Sequence, residues 1–357
     1  MKKINRVVNV AKAIRAYNKK QTKLHYYPLS LWIEPTNVCT LKCVMCPSRM
    51  IPKDETGFMS LETFKGIVDQ TKEYVSDFYL FLGGESLLNK DIFEMIKYAK
   101  KRKIRCILHT NATILTKEKS LQLIDSGIDY VSFSFDGYDK ETYESIRIGG
   151  NYEKVMENII SFLKIKKTMR VTKPYIVLQT LVISKKNFQN DEKAKKFYDL
   201  FKGLPIDEIN VKTPISWGSI LEDEKEIDFQ NKKEFTPCPV LWNAMSIKWD
   251  GTVVPCCIDI FGEYKLGNIK EKSLKQIWND EPLQRLRRSM LDGTYLEVKK
   301  GCKGCHKLWG GKVFGLPPDF RGMVGRTSSD LFGFKIERNL KKLAKKVTPN
   351  FQYEIQK

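Results

Sequence analysis

Short apolar runs alternate with amphipathic segments along the first half of the chain. Four of these runs, at positions 77–82, 104–109, 130–135 and 175–183, have the length and composition of buried strands. Between them the pattern is helical, and in residues 91–101 one face collects Ile92, Phe93, Met95, Ile96 and Ala99. Strands and helices that alternate in this way predict an α/β fold with a parallel sheet and right-handed crossovers.

Three cysteines follow another apolar stretch, which runs from Leu29 to Ile33. Cys39, Cys43 and Cys46 have the spacing CxxxCxxC. Three thiolates on one short loop can bind three irons of an iron–sulfur cube and leave the fourth iron open to a chelating ligand. A structural zinc site is the alternative, but it needs a fourth protein ligand from elsewhere in the chain.

Polar residues stand where the predicted strands end. Gly83, Gly84 and Glu85 follow the first of the four runs, and Asn111 follows the second. In the third, period-2 alternation places Ser132, Ser134 and Asp136 on one face and the phenylalanines on the other. The carboxyl ends of parallel strands are where barrels and open α/β sheets bind ligands.

Taken singly, each of these residues is also typical of a plain turn. Gly83-Gly84 suits a tight connection to a helix, and Asp136-Gly137 suits a β-turn. Asn111 suits a turn that precedes a helix capped by Thr116.

Together, and in this order, the motifs resemble those of the radical S-adenosylmethionine (SAM) enzymes. The glycine segment resembles the family's GGEP motif with Ser86 in place of Pro, a change expected to loosen the turn. The sequence Thr110-Asn111-Ala112 resembles TNG, residues 132–137 resemble SxDG, and an arginine-containing loop follows at Arg147. The resemblance implies a partial (β/α)6 TIM-like barrel, with a [4Fe–4S] cluster on the three cysteines and SAM at its open iron.

The same resemblance assigns residues to parts of SAM. Glu85, with the backbone of Gly83 and Gly84, is expected to hold the methionyl ammonium, and Arg147 to reach its carboxylate. The ribose side is assigned to Asn111, Ser134 and Asp136.

A second cysteine group occupies the C-terminal third. Cys238 is followed by Gly251, by Cys256-Cys257, by an LGNI segment and a helix with Trp278, and by Cys302 and Cys305. Alone, this spacing also suits a four-cysteine zinc ribbon. It resembles the small cysteine-rich SPASM/Twitch domain that follows the barrel in many radical SAM enzymes. A full SPASM domain has seven cysteines for two clusters, whereas this chain has no cysteine beyond Cys305.

Four thiols suffice for one auxiliary [4Fe–4S] cluster. The expected ligands are Cys238, Cys256, Cys302 and Cys305. Of the two remaining cysteines, Cys106 is expected to be a core thiol. Cys257 is open to three interpretations: an alternative ligand, a packed thiol, or a catalytic hydrogen-atom donor.

The chain of 357 residues carries a net charge of +20, and its ends hold most of that charge. Residues 1–24 contain eight basic residues and no acidic one. A basic amphipathic helix is expected in residues 1–28, with Val7, Ala11 and Ile14 on its apolar face. The core domain is placed at 29–230, with a charged linker at 222–233; the auxiliary domain at 231–312 and a basic tail at 313–357 complete the division.

The predicted activity is reductive cleavage of SAM to a 5′-deoxyadenosyl radical, followed by hydrogen abstraction and oxidation or epimerisation of a small molecule, sugar or glycan. A peptide-modifying enzyme is the alternative, and a non-catalytic metal-binding protein the lesser one. Flavodoxin or ferredoxin is the expected reducing partner, and no nucleic acid is expected. Without a signal peptide or membrane span in the sequence, a cytoplasmic location is expected, with the basic ends packed on the barrel or bound to a membrane surface or acidic partner.

Overall fold

A computed structural model describes residues 2–181, 191–212, 235–303 and 305–309, together with 312, 315–317, 319–320 and 322–325. The described part is built on one nine-stranded sheet with the order β6-β5-β4-β3-β2-β1-β7-β8-β9. The strands are β1 (Ser30–Ile33), β2 (Asp77–Tyr79), β3 (Arg105–Thr110), β4 (Tyr130–Ser134), β5 (Tyr175–Leu181), β6 (Glu208–Lys212), β7 (Ala244–Ile247), β8 (Thr252–Val254) and β9 (Gly267–Asn268).

Strands β1 to β6 pair in parallel, each with the next in the chain. The other edge of β1 pairs in parallel with β7, which continues into an antiparallel β7–β8–β9 unit. In the described residues the sheet is therefore not closed, and the C-terminal strands extend it. This arrangement confirms the predicted partial barrel followed by a smaller domain.

Besides the helical residues 319–320 and 322–325, ten α-helices have both ends within the described residues. They are α1 (Lys2–Asn18), α2 (Leu61–Thr71), α3 (Ile92–Lys101), α4 (Lys117–Asp125), α5 (Lys140–Ile146), α6 (Tyr152–Thr168), α7 (Asp191–Asp199), α8 (Leu274–Trp278), α9 (Glu281–Asp292) and α10 (Tyr295–Val298). Thr116 caps α4 by accepting a hydrogen bond from Lys119 N, as the sequence predicts. None of these helices is both long and apolar enough to cross a membrane.

The helices pack on the face of the sheet that carries its most deeply buried side chains. Phe78 of β2 contacts Phe64 of α2 edge to face, and Phe133 of β4 contacts Phe162 of α6 in the same way. Cys106 of β3 is fully buried in this core, in agreement with its interpretation as a packed thiol.

The N-terminal helix differs from the prediction. Its buried residues are Val10, Ala13, Ala16 and Tyr17. Of the predicted apolar face, Ile14 packs against the core, whereas Val7 and Ala11 are exposed, so the predicted face is only partly correct. The reason is the partner of the helix: the Tyr17 ring packs against Trp242, and its hydroxyl donates to the carbonyl of Pro237 at 2.7 Å. Helix α1 is thereby joined to the start of the C-terminal domain.

Several predicted boundaries shift or cannot be compared. Strand β2 ends at Tyr79, three residues before the predicted end, because the chain turns early into the glycine segment. The end of the predicted run 175–183, the linker at 222–233 and most of the basic tail lie outside the described residues.

Candidate active site with two cysteine clusters

The loop that carries Cys39, Cys43 and Cys46 begins where β1 ends, at the carboxyl edge of the parallel strands. Cys39 is exposed, Cys46 is partly buried, and Cys43 is buried. Backbone hydrogen bonds tie the loop to its neighbours: Lys42 N donates to Ile148 O, and Val44 N to Ile146 O, both at 2.9 Å. The cysteine loop therefore lies against the arginine-containing loop, which is distant from it along the chain.

Asn111 lies beside the first cysteine. Its Nδ2 is 3.6 Å from Cys39 Sγ and donates to Thr40 Oγ1 at 3.1 Å. Its Oδ1 accepts from Thr113, so the amide is used on both sides. The next residue, Ala112, has φ of +58°, the left-handed conformation for which the family's Gly is suited. In this structure Asn111 positions the cysteine loop, and its role at the ribose remains a prediction.

Arg147 and Asp136 form an ion pair next to the second cysteine. Arg147 Nη2 lies 2.6 Å from Asp136 Oδ2, and Nη1 lies 3.9 Å from Cys43 Sγ. Asp136 Oδ1 accepts from Leu181 N. Arg147 and Asp136 therefore pair with each other, although the sequence analysis assigned them to separate parts of SAM. Those assignments remain predictions.

The glycine segment approaches the cysteine loop closely. A Cβ at Gly84 would lie 2.5 Å from the carbonyl oxygens of Thr36 and Val38, which is too close for any side chain. Glu85 N donates to Val38 O at 2.9 Å in the same contact. Gly84 is therefore required by packing as well as suited to the predicted cofactor contact.

Glu85 is buried, and its carboxylate is held by protein donors. Oε1 accepts from Thr110 Oγ1 at 2.9 Å and Leu87 N at 3.1 Å, and Oε2 accepts from Asn111 N at 2.8 Å. Burial raises the pKa of Glu85, and these donors oppose the rise. The side chain joins the ends of two strands; its predicted contact with the methionyl ammonium is not tested by these bonds.

Ser86 closes its turn with a side-chain hydrogen bond. Its hydroxyl donates to the carbonyl of Leu80 at 2.7 Å, and the side chain is buried. Proline has no hydroxyl to make this bond. Whether the turn is looser than one with proline remains a prediction.

Glu34 is a site residue that sequence reasoning missed. It is fully buried at the end of β1; Oε2 accepts from Trp249 N at 3.2 Å, and Oε1 would lie 2.8 Å from a Cβ on Gly83. Burial raises the pKa of Glu34 to about 7. The sequence feature that could have identified it is a carboxylate five residues before the first cysteine. Alternation along the strand points this side chain away from the helices.

The barrel side of the sheet carries aromatic rings that the sequence analysis also missed. Trp32 stacks on Tyr79 with centroids 4.3 Å apart, and Phe81 stacks on His109 at 3.9 Å. Ser134 is partly exposed, whereas Ser132 is fully buried. The inner face is thus a mixture of rings and hydroxyls rather than the polar stripe that β4 alone suggested.

The second cysteine group surrounds one cavity. All four predicted ligands line it, with apolar side chains such as Leu241, Ile258 and Leu286 around them and one charged residue, Lys299. Burial raises the pKa of Cys302 to about 12 and of Cys305 to about 11. In the part of the chain that the structure describes, no three His, Cys, Asp or Glu side chains are drawn together around one point as ligands of a single ion are. Four sulfurs around an apolar cavity fit an iron–sulfur cube.

Cys257 is not among the residues that line this cavity. It is partly buried, packs against the core, and burial raises its pKa to about 12. Cys257 lies close enough to Cys256 and Cys305 for both to add to the rise in its pKa, and its catalytic role remains a prediction.

Comparison with known families gives matches to two segments of the chain. A family described as the radical SAM superfamily matches residues 33–197, and the SPASM iron–sulfur cluster-binding domain matches residues 238–306. The first match includes the three-cysteine loop and all the strand-end motifs. The second begins at Cys238 and extends past Cys305. These matches establish the SAM-binding [4Fe–4S] cluster, SAM itself and an auxiliary iron–sulfur cluster as the cofactors.

Two curated relatives cover most of the chain. A tungsten-containing aldehyde ferredoxin oxidoreductase cofactor-modifying protein from Pyrococcus furiosus is 27% identical over 70% of this chain and 81% of its own length. An AdoMet-dependent heme synthase from Methanosarcina barkeri is 26% identical over 76% of this chain and 89% of its own length.

Among solved structures, SuiB of Streptococcus suis bound to its precursor peptide SuiA is similar, with a TM-score of 0.59 and 18% identity. The match covers 85% of this chain and 75% of SuiB. At this identity the likeness establishes the fold only.

Proposed function

Because this chain is a radical SAM protein with a SPASM domain, we propose that it oxidises an unactivated C–H bond of a small molecule, sugar or glycan. When bound, SAM and the cluster on Cys39, Cys43 and Cys46 supply a 5′-deoxyadenosyl radical that takes a hydrogen atom from the substrate, and the auxiliary cluster supplies an electron acceptor. Loss of a hydrogen atom, then of one electron and one proton, leaves the substrate oxidised by two electrons.

The observation that carries this proposal is the cavity lined by Cys238, Cys256, Cys302 and Cys305. Four thiols satisfy all four irons of a cube, so no iron remains for a substrate to bind. A fully ligated cluster in a largely apolar cavity suits electron transfer. This favours an oxidation, in which an electron must leave the substrate, over a reaction in which the substrate binds the auxiliary cluster.

Residues from other parts of the chain contact the cysteine loop, which carries Cys39, Cys43 and Cys46. Asn111 contacts Cys39, Arg147 contacts Cys43, and the absence of a side chain at Gly84 lets the glycine segment meet the loop's backbone. Gly84 and Asn111 follow β2 and β3, and Arg147 follows α5, so Cys39 and Cys43 are each contacted by a side chain from another part of the chain.

Small molecules are favoured as substrates because the names of both curated relatives refer to small cofactors, a tungsten enzyme's cofactor and heme. A peptide substrate is the second candidate, since SuiB was solved with a precursor peptide. Reduced flavodoxin or ferredoxin is the proposed electron donor.

The test uses deuterium as a tracer. An extract of the source cells grown in deuterated medium is separated into a small-molecule filtrate and a macromolecular fraction, and each is incubated anaerobically with holoenzyme, SAM and reduced flavodoxin. Deuterium in 5′-deoxyadenosine from the filtrate supports the proposal. Deuterium only from the macromolecular fraction favours the peptide candidate, and none from either contradicts both.

The mass of the labelled product distinguishes the reaction types. Oxidation removes two hydrogen atoms, whereas epimerisation leaves the mass unchanged apart from isotope exchange. A product that keeps its two hydrogens and takes one from the Cys257 thiol would overturn oxidation. The matched control is Cys106→Ala, which removes a core thiol and should leave both clusters and the labelling intact.

A further inference from the structure

Among the described residues, one charged side chain lines the cavity of the auxiliary cysteines. Lys299 lines it together with the four cysteines, and its side chain is 4% exposed. Its Nζ lies 2.9 Å from Asp259 Oδ2, and the Asp259 side chain is 2% exposed. Burying two charges is costly, so this pair needs an explanation beyond general stability.

The two charges are attached to the turns that carry two of the ligands. Cys302 N donates to the carbonyl of Lys299 at 3.1 Å, and Asp259 N donates to the carbonyl of Cys256 at 3.2 Å. A Cβ on Gly301 would lie 3.5 Å from Lys299 Nζ. The ammonium therefore lies close to the backbone of the residue just before Cys302. The pair therefore spans the gap between the two ligand turns.

The carboxylate is fixed more firmly than the ion pair alone would fix it. Asp259 Oδ1 accepts from Glu263 N at 3.0 Å, and Oδ2 accepts from Tyr264 N at 3.1 Å. Lys299 lines the cavity together with the four cysteines, whereas Asp259 is not among the lining residues, so the ammonium is the charge nearer to the cluster site.

We propose that Lys299, held by Asp259, is a positioning residue that raises the reduction potential of the auxiliary cluster and so makes it a better electron acceptor. Reduction adds one negative charge to a cluster whose four thiolate ligands already make it anionic. A buried positive charge at the wall stabilises the reduced form more than the oxidised form. The inference rests on the auxiliary cluster of the proposed function and is independent of the substrate.

The test is a redox titration of the full-length holoenzyme with dithionite, followed by electron paramagnetic resonance. Lys299→Met should lower the auxiliary potential, and Asp259→Asn should raise it, because the two changes remove opposite charges. We expect each to change the ratio of reduced to oxidised cluster at fixed potential at least tenfold, about 59 mV for one electron. The double variant should lie between the two single variants.

Three controls separate charge from structure. Lys299→Arg keeps the charge and should restore the potential, and Lys303→Met removes an exposed charge next to Cys302 and should leave it unchanged. The SAM-binding cluster in the same sample should not shift. If Lys299→Met loses iron, the potentials of Asp259→Asn and Lys299→Arg still test the proposal. The first should be raised, and the second should equal that of the natural chain.

The proposal is overturned if both single variants shift the potential in the same direction, or if Asp259→Asn leaves it unchanged. A merely structural clamp would give such results, since breaking it from either side loosens the same turns. The measurement needs no substrate, so its failure is distinguishable from a failure of the deuterium test.

Discussion

Arg147 reaches Asp136 with one guanidinium nitrogen and Cys43 with the other, at 2.6 Å and 3.9 Å. The arginine lies 104 residues after the cysteine and both are buried, so the contact exists only in the folded chain. Asp136 is itself held by Leu181 N at the end of β5. The ends of β4 and β5 are thereby connected to Cys43 on the cysteine loop, which follows β1.

Removing the arginine should harm both stability and the first cluster. Arg147→Met leaves Asp136 buried without its partner, which typically costs about 3–5 kcal/mol. It also removes the contact that holds Cys43. We expect a lower urea midpoint, measured anaerobically, and loss of SAM cleavage to 5′-deoxyadenosine.

The chain offers a matched control at the opposite end of the sheet. Arg105 Nε pairs with Asp77 Oδ1 at 2.7 Å, with side-chain exposures of 12% and 5%. Arg105→Met should lower stability in the same sense while SAM cleavage by the folded fraction persists. Equal loss of cleavage in both variants would show that Arg147 acts through general stability alone.

The two adjacent cysteines of the auxiliary domain should behave differently. Two [4Fe–4S] clusters hold about eight irons per chain. Cys256→Ala should remove roughly half of them because Cys256 lines the cavity, whereas Cys257→Ala should keep the iron because Cys257 does not. Iron and sulfide analysis of anaerobically purified protein measures both. Iron loss in the Cys257 variant alone would exchange the two assignments.

Sequence patterns predicted what depends on local spacing. The CxxxCxxC loop, the strand-end motifs and the alternation that buries Phe133 against Phe162 are periodic or contiguous signals, and the structure has them where expected. Long-range pairings leave no such signal. The Arg147–Asp136 pair and the Lys299–Asp259 pair each join turns that only the fold brings together.

The face of α1 shows a second limit. Helical periodicity allows more than one stripe of apolar residues when small residues such as alanine are frequent, and the choice between stripes is made by the partner surface. Here the Tyr17 ring finds Trp242, more than two hundred residues away, and turns Val7 outward. No pattern within the helix contains that information.

Ser86 should contribute measurably to stability. Ser86→Ala removes a buried hydroxyl that donates to Leu80 O, leaving that carbonyl without this partner, at a cost of about 1–3 kcal/mol. The control is Ser145→Ala, which removes an exposed hydroxyl that donates to Thr142 O and should change stability by less than about 0.5 kcal/mol. Urea denaturation of both variants gives the comparison, and equal effects would argue against a closing role for Ser86.

Glu34 makes the stability of the chain depend on pH between acid and neutral values. Burial raises its pKa to about 7, while the unfolded chain has a value of about 4.3. The folded state therefore binds more protons than the unfolded state in this window, and stability falls as the pH rises through it. Nearby groups act in both directions: the hydrogen bond from Trp249 N and the charge of Lys248 favour the carboxylate, and the charge of Asp250 disfavours it.

The glutamine side chain in Glu34→Gln has nearly the shape of the protonated acid, carries no charge and cannot titrate. Relative to this variant, the natural chain should lose roughly 2–3 kcal/mol of unfolding free energy between about pH 5 and pH 8, from the size of the pKa shift. Urea denaturation of holoenzyme across that range measures the difference, with the exposed Glu297→Gln as the control. Parallel pH profiles for the natural chain and Glu34→Gln would show that Glu34 is already ionised at pH 5, and that its contacts with Trp249 and Gly83 outweigh its burial.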